Sequence, residues 1–207
     1  MSKSKYKVYN GKSLKLIFEN SRIYLMALMF VLGLIAGASS FSSDSEITDK
    51  ISILIDTYIN QKAGQGILTN FLNSFSVNAV FFILNLFFAF SLIGNPFIIS
   101  LPMVKGLGMG CICGYLYISY RLSGLGYSLL MICPGAIVSV FALIMACNDS
   151  CEYSRNAYMK AIKSKGQYEK DETRVYLTRQ LVFSGICTVS CAIDSVSNEL
   201  FSRFFKI

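Results

Sequence analysis

Four stretches of the chain are apolar for long enough to cross a bilayer, which takes about 20 residues of helix: Ile23 to Phe41, Phe75 to Gly94, Phe97 to Tyr120 and Leu125 to Cys147. A fifth, Leu181 to about Leu200, is weaker because it contains Asp194 and Glu199. The breaks between spans two and three (Gly94, Asn95, Pro96) and between spans three and four (RLSGLG, 121–126) are too short for anything but tight turns, so residues 75–147 form one three-span unit of antiparallel neighbours. The pattern predicts an all-α, polytopic transmembrane helical bundle of about five spans.

The remaining segments are polar. Residues 1–22 form a basic arm in which Leu14, Ile17 and Phe18 are spaced to lie in the interface. In the loop 42–74, Ser43 and Glu46 fit a capping box, and Ile47, Ile51, Leu54, Ile55 and Tyr58 recur at helical spacing opposite Thr48, Asp49, Ser52 and Asp56. This predicts an amphipathic helix between spans one and two, with Ile47, Ile51, Leu54 and Tyr58 as candidate partner-binding residues. Residues 148–180 mix both signs of charge and read as one or two solvated helices, and 201–207 are a short tail.

Composition agrees with a membrane protein: of 207 residues 54% are hydrophobic and 15% charged, with a mean hydropathy of +0.52. Charge then sets the expected orientation, because lysine and arginine near spans stay on the cytoplasmic side. Six basic residues (Lys3, Lys5, Lys7, Lys12, Lys15, Arg22) precede span one and seven (Arg155, Lys160, Lys163, Lys165, Lys170, Arg174, Arg179) lie between spans four and five. Only Lys50, Lys62, Arg121, Arg203 and Lys206 fall on the other side, so the amino terminus is expected inside and the amphipathic helix outside, in a multi-pass protein of the cell membrane. The net charge of +7 is thus a topology signal, and nucleic acid is not an expected partner; membrane lipids are. A secretory signal peptide shares the basic start, the apolar run and the small residues GASS. Against it, the run is long, and Gly33 and Gly37 have the small-xxx-small spacing of packed spans.

All seven cysteines (Cys111, Cys113, Cys133, Cys147, Cys151, Cys187, Cys191) lie in or beside spans, none in the loop 42–74 where a disulfide would be useful. Cys147/Cys151 and Cys187/Cys191 share helix faces; small packing residues are favoured there over soft-metal sites. There is no histidine, which excludes imidazole acid–base chemistry, Ser-His triads and histidine metal ligation. No phosphate loop, redox CxxC pair or serine-nucleophile elbow occurs. The chain is therefore not expected to be an enzyme, and no cofactor or metal is implied.

One charge stands inside an apolar run. Lys105, nine residues past Pro96 and so about 13 Å into the hydrocarbon, costs on the order of 3 kcal/mol on insertion scales and needs an offset. Asp194, about 21 Å along span five from its cytoplasmic start, is the only acidic residue well inside a span. A lysine side chain spans the difference in depth, so the two are candidates to pair, with snorkelling as the alternative. Gly106, Gly110 and Gly114 follow Lys105 at i, i+4 and i+8 spacing and present bare backbone along one face. Lipid supplies no hydrophobic drive for helix association, so such a ridge is expected to seat another helix, or else to line a substrate path. Pro134, with Gly135 after it, should kink span four and free a carbonyl for a neighbour to satisfy.

The stretch IGNPFIISLPMVKGLGMGCICGYL resembles the signature of the stage II sporulation protein M family, I-G-x-P at a helical hairpin followed nine residues later by K-G-x-x-x-G-x-x-x-G and an aromatic. Ile93, Gly94, Pro96, Lys105, Gly106, Gly110, Gly114 and Tyr115 match without a gap. Asn78 sits where that family has an asparagine opening span two, and Asp194 where members often show a glutamate. Span four departs, with Ala136 and Phe141 where members carry a polar residue and a second proline. The resemblance implies a five-span sporulation membrane protein that acts with stage II sporulation proteins D and P to degrade septal peptidoglycan during engulfment, as the assembly platform for extracytoplasmic cell-wall hydrolases rather than as the hydrolase. Two functions stay open: a membrane scaffold for such enzymes, favoured by the outer amphipathic helix, and a transporter or transporter subunit using a Lys105/Asp194 groove.

Overall fold

The computed structural model describes residues 4–40, 52–55, 57, 65–91, 94–162 and 170–201. Its long elements are all helical: α1 (Ser4–Ser39), α2 (Ile67–Phe90), α3 (Asn95–Tyr127), α4 (Cys133–Ile162) and α5 (Lys170–Phe201). Each contains a segment long and apolar enough to cross a membrane, so the all-α polytopic bundle expected from the sequence is the fold. At about 1.5 Å per residue the shortest, α2, spans roughly 36 Å, enough for the hydrocarbon layer. Large apolar side chains such as Leu28, Val31, Ile35, Val80, Ile83 and Phe87 lie exposed along the bundle's outer surface, where lipid rather than water is their natural neighbour.

Two pairings organise the bundle. α1 packs on α3, and α4 packs on α5, with α2 laid across α4 and α5. The α1–α3 seam is built from bare backbone. A Cβ added at Gly106, Gly110 or Gly114 would strike the carbonyl oxygens of Phe30, Leu34 and Ala38, and one at Gly33 or Gly37 those of Met103 and Leu107. The helix expected in the glycine groove is thus the first one, and its own glycines complete the fit. Among the described residues, Met26, Ile98, Leu101, Leu143 and Cys147 belong to the largest buried apolar cluster, near the start of α3.

The turns follow local chemistry. Gly94 joins α2 to α3 where a side chain would run into the Phe88 carbonyl, and its own carbonyl accepts from the Ile98 N–H at 2.9 Å, opening α3 with Pro96 in its first turn. Between spans three and four the residues stay helical in hydrogen bonding, and the direction breaks at Arg121 (φ 49°, ψ −123°). The turn is therefore made at an arginine, in backbone territory that favours glycine, while Gly124 serves the close approach to the Leu116 carbonyl. Pro134 is preceded by a π-helical turn, Ser128–Ile132, in which the Cys133 N–H reaches Ser128 O. The extra residue per turn moves a carbonyl away from the proline ring, the usual reason such bulges sit beside prolines.

The described residues of 148–180 continue the spanning helices: α4 runs on to Ile162 and α5 starts at Lys170, and the two pack on each other there. Ser150, Tyr176 and Gln180 are buried there. Tyr153 stacks on Tyr176 at 4.3 Å between ring centres, and Phe90 meets both edge-on. Among the cysteines, all free thiols, Cys147, Cys151, Cys187 and Cys191 are buried packing residues.

Candidate functional site: a polar cavity around Lys105

Three helices converge on Lys105. From α3 its Nζ donates to Asn78 Oδ1 of α2 at 2.7 Å and stands 5.6 Å from the centre of the Phe81 ring, one turn further along α2. The Asn78 amide nitrogen in turn donates to the Ser74 carbonyl at 3.0 Å and to Cys191 Sγ of α5 at 3.3 Å. Ser74 Oγ donates to Asp194 Oδ2 at 2.7 Å. Lys105 and Asp194 are therefore brought together as their depths required, but through Asn78 and Ser74 instead of by direct contact. A carboxamide oxygen and an aromatic face take the ammonium, which keeps both charges solvated by protein without fusing them into one ion pair.

These residues line a cavity of about 400 Å³. Ser139, Ser190, Cys191, Ser74 and Asn78 supply its polar patches, Phe81, Val104, Met109, Ile112 and Ile132 its apolar wall. α4 and α5 meet beside it at Gly135, where an added Cβ would stand 2.7 Å from the Cβ of Asp194, and Ser190 Oγ donates to the Gly135 carbonyl. Gly135, next to Pro134, thus lets α4 pack closely against the Asp194 backbone and Cβ.

Toward the Ser91 end of α2 a second polar chain closes the bundle. Asn85 donates to Gln180 at 3.4 Å, Gln180 to the Ala146 carbonyl at 3.0 Å and to Ser150 at 3.1 Å, and Ser150 pairs with Tyr176 at 2.8 Å. Asp149 of α4 and Arg179 of α5 form an ion pair at 3.1 Å near the same end. The polar residues of this chain are buried and aromatic rings pack beside it, and a second cavity of about 330 Å³ between α2 and α5 extends from Asn78 to Gln180.

The other candidate residues are distributed as follows. Gly106, Gly110 and Gly114 face α1, so the glycine ridge does not wall the cavity; Gly108, two residues off that face, does. Gly94 and Pro96 shape the α2–α3 turn, and Asn78 is the hub of the cavity. Of the amphipathic helix, Leu54 and Ile55 reach the cavity mouth: Ile55 is buried near Leu116 and Tyr127, while Leu54 is exposed. Ile47, Ile51 and Tyr58 lie outside the described residues. Ser74, Phe81, Ser190 and Cys191 were not anticipated as members of the site. For Ser74 and Phe81 a signal existed, since they flank Asn78 at i−4 and i+3 on one helix face.

The model of a known family, stage II sporulation protein M, matches residues 26–195. The chain belongs to the stage II sporulation protein M family. The match runs from within α1 to just past Asp194, so the α1–α3 seam, the hairpin and the whole Lys105 cavity of this stage II sporulation protein M family member are inside it. It is a multi-pass membrane protein of a sporulation family. No curated protein and no solved structure matches the chain.

Proposed function

We propose that the protein is an integral membrane platform that gathers extracytoplasmic peptidoglycan-degrading enzymes, the counterparts of stage II sporulation proteins D and P, and is not itself a hydrolase. The observation that supports this most is the seat of the amphipathic segment. Ile55 is anchored into the bundle while its neighbours Ile53 and Leu54 stand 66% and 69% exposed. An anchored helix that turns large apolar side chains outward offers a partner a fixed, hydrophobic contact of the kind that carries binding energy. With thirteen basic residues on the opposite side, this segment is expected outside the cell, where wall enzymes work.

Affinity purification from membranes of the host tests the proposal. Ile51→Lys with Leu54→Lys should release an associated wall hydrolase without changing membrane insertion, Ile53→Lys should act in the same direction, and Lys50→Ala should leave the association intact. Recovery of no wall enzyme by the unaltered protein overturns the platform.

The Lys105 cavity favours a second function, that of a transporter or transporter subunit. Its signature is solute flux into liposomes that disappears with Lys105→Met.

A further inference from the structure

The Lys105 cavity has one wall that no long helix supplies. Its lining residues belong to α2, α3, α4, α5 and the π-helical turn, except Leu54 and Ile55, which lie in the segment between α1 and α2. Ile55 attaches this segment to the bundle, packing in one buried cluster with Leu116 and Tyr127 of α3. Of the described residues 52–55 and 57, only Ile55 is buried. Segments with few buried apolar contacts are the ones that open locally while the rest of a protein stays folded.

The seat of Ile55 is also a wall of the cavity. Ile112 and Ile132 pack against the Ile55 cluster and line the cavity around Lys105. Ile132 ends the π-helical turn Ser128–Ile132, whose Ser128 Oγ lies 3.1 Å from Cys113 Sγ of α3. A π-turn holds one residue more than an α-turn, and moving that residue along the helix rotates the side chains beside it by about 100°. The seat therefore stands on backbone that has a second arrangement within reach.

From this juxtaposition we infer that the Leu54–Ile55 segment is a movable cover of the Lys105 cavity, closed while Ile55 is seated against Leu116 and Tyr127 and open when it leaves. Ile53 and Leu54, the outward side chains of the same segment, are the docking contacts of the platform. On that platform reading, on which this last link rests, an enzyme docked outside holds the cover down, and docking and entry to the cavity bias each other by the same factor.

A thiol inside the cavity reports the cover. Ser139 lines the cavity and is buried, and cysteine is close to it in size. With the native cysteines replaced, Ser139→Cys in the full chain should react slowly with a charged methanethiosulfonate in detergent. Ile55→Ser should speed that reaction about tenfold or more, because the rate follows the open population. Leu116→Ala, which empties the seat from the α3 side, should act in the same direction, and Ile53→Ser, on the same segment but outside the seat, should not. Ser150→Cys, buried toward the Ser91 end of the bundle, should keep its rate in the Ile55→Ser protein, which separates an opened cover from a loosened fold. Unchanged labelling in the Ile55 and Leu116 variants, or an equal rise at Ser150→Cys, overturns the cover. A bound wall enzyme should slow labelling at Ser139→Cys several-fold. Labelling that ignores a bound enzyme overturns the coupling, whereas failure to bind any enzyme overturns the platform, and the coupling with it, but not the cover.

Discussion

Lys105 Nζ lies 2.7 Å from Asn78 Oδ1, a bond that ties α3 to α2 in the interior of the bundle. It answers why a charge sits in an apolar span: the ammonium exchanges water for a carboxamide oxygen and an aromatic face, and Asn78 passes the contact on through Ser74 to Asp194. The offset is a relay across three helices and not a single ion pair.

That relay has a measurable coupling. Lys105→Met and Asn78→Leu should each destabilise the protein in detergent by about 1–3 kcal/mol, because each leaves a buried partner unsatisfied. The double variant should cost less than the sum, by on the order of 1 kcal/mol in a double-mutant cycle of thermal or denaturant unfolding. Asp194→Asn retains an acceptor for Ser74 and should couple more weakly to Lys105 than Asn78 does; strictly additive losses for Lys105 and Asn78 would sink the relay.

The seam between α1 and α3 predicts a position-specific response. Gly110→Leu drives a side chain into the Leu34 backbone and should lower stability by about 2 kcal/mol or more, with membrane insertion intact. Gly108→Ala, two residues away and facing open space, should be nearly silent. Equal effects at the two positions, measured by unfolding in the same detergent, would rule out the seam.

At the other end of the bundle the polar chain should behave as structure. Tyr176→Phe removes the hydroxyl that pairs with Ser150 and should cost about 1 kcal/mol, whereas Gln180→Ala strips the partner from Asn85, Ala146 and Ser150 together and should cost roughly 2–3 kcal/mol. Unfolding midpoints of the two variants check the order.

The basic residues predict the orientation. With the native cysteines replaced, a cysteine at Ser42 or Asn60 in intact cells should react with a membrane-impermeant thiol reagent, and one at Ser4 or Ser164 should not. The opposite labelling pattern would reverse the topology and remove the amphipathic helix from the outside.

By itself the sequence determined that the chain is a five-helix membrane bundle, because lipid leaves a spanning backbone no option but to satisfy its own hydrogen bonds, so length and apolarity alone define the spans. It also marked Lys105 as a residue needing a partner, and the glycines of spans one and three as surfaces for close packing, since a buried charge and a bare backbone face are costly wherever they lie. What it could not determine was which groups meet. That α1 fills the ridge of α3, that Asn78 and not Asp194 receives the lysine, and that Gly108 lines the cavity while Gly106 and Gly110 face α1 depend on the rotation of each helix about its axis and on its neighbours. Those are settled by shape complementarity among residues far apart in the chain. The same holds for the ends of α4 and α5, where charged and tyrosine-rich turns read as solvated, yet Tyr153, Tyr176 and Gln180 pack together because burial is decided by the partner helix and not by the polarity of the local pattern.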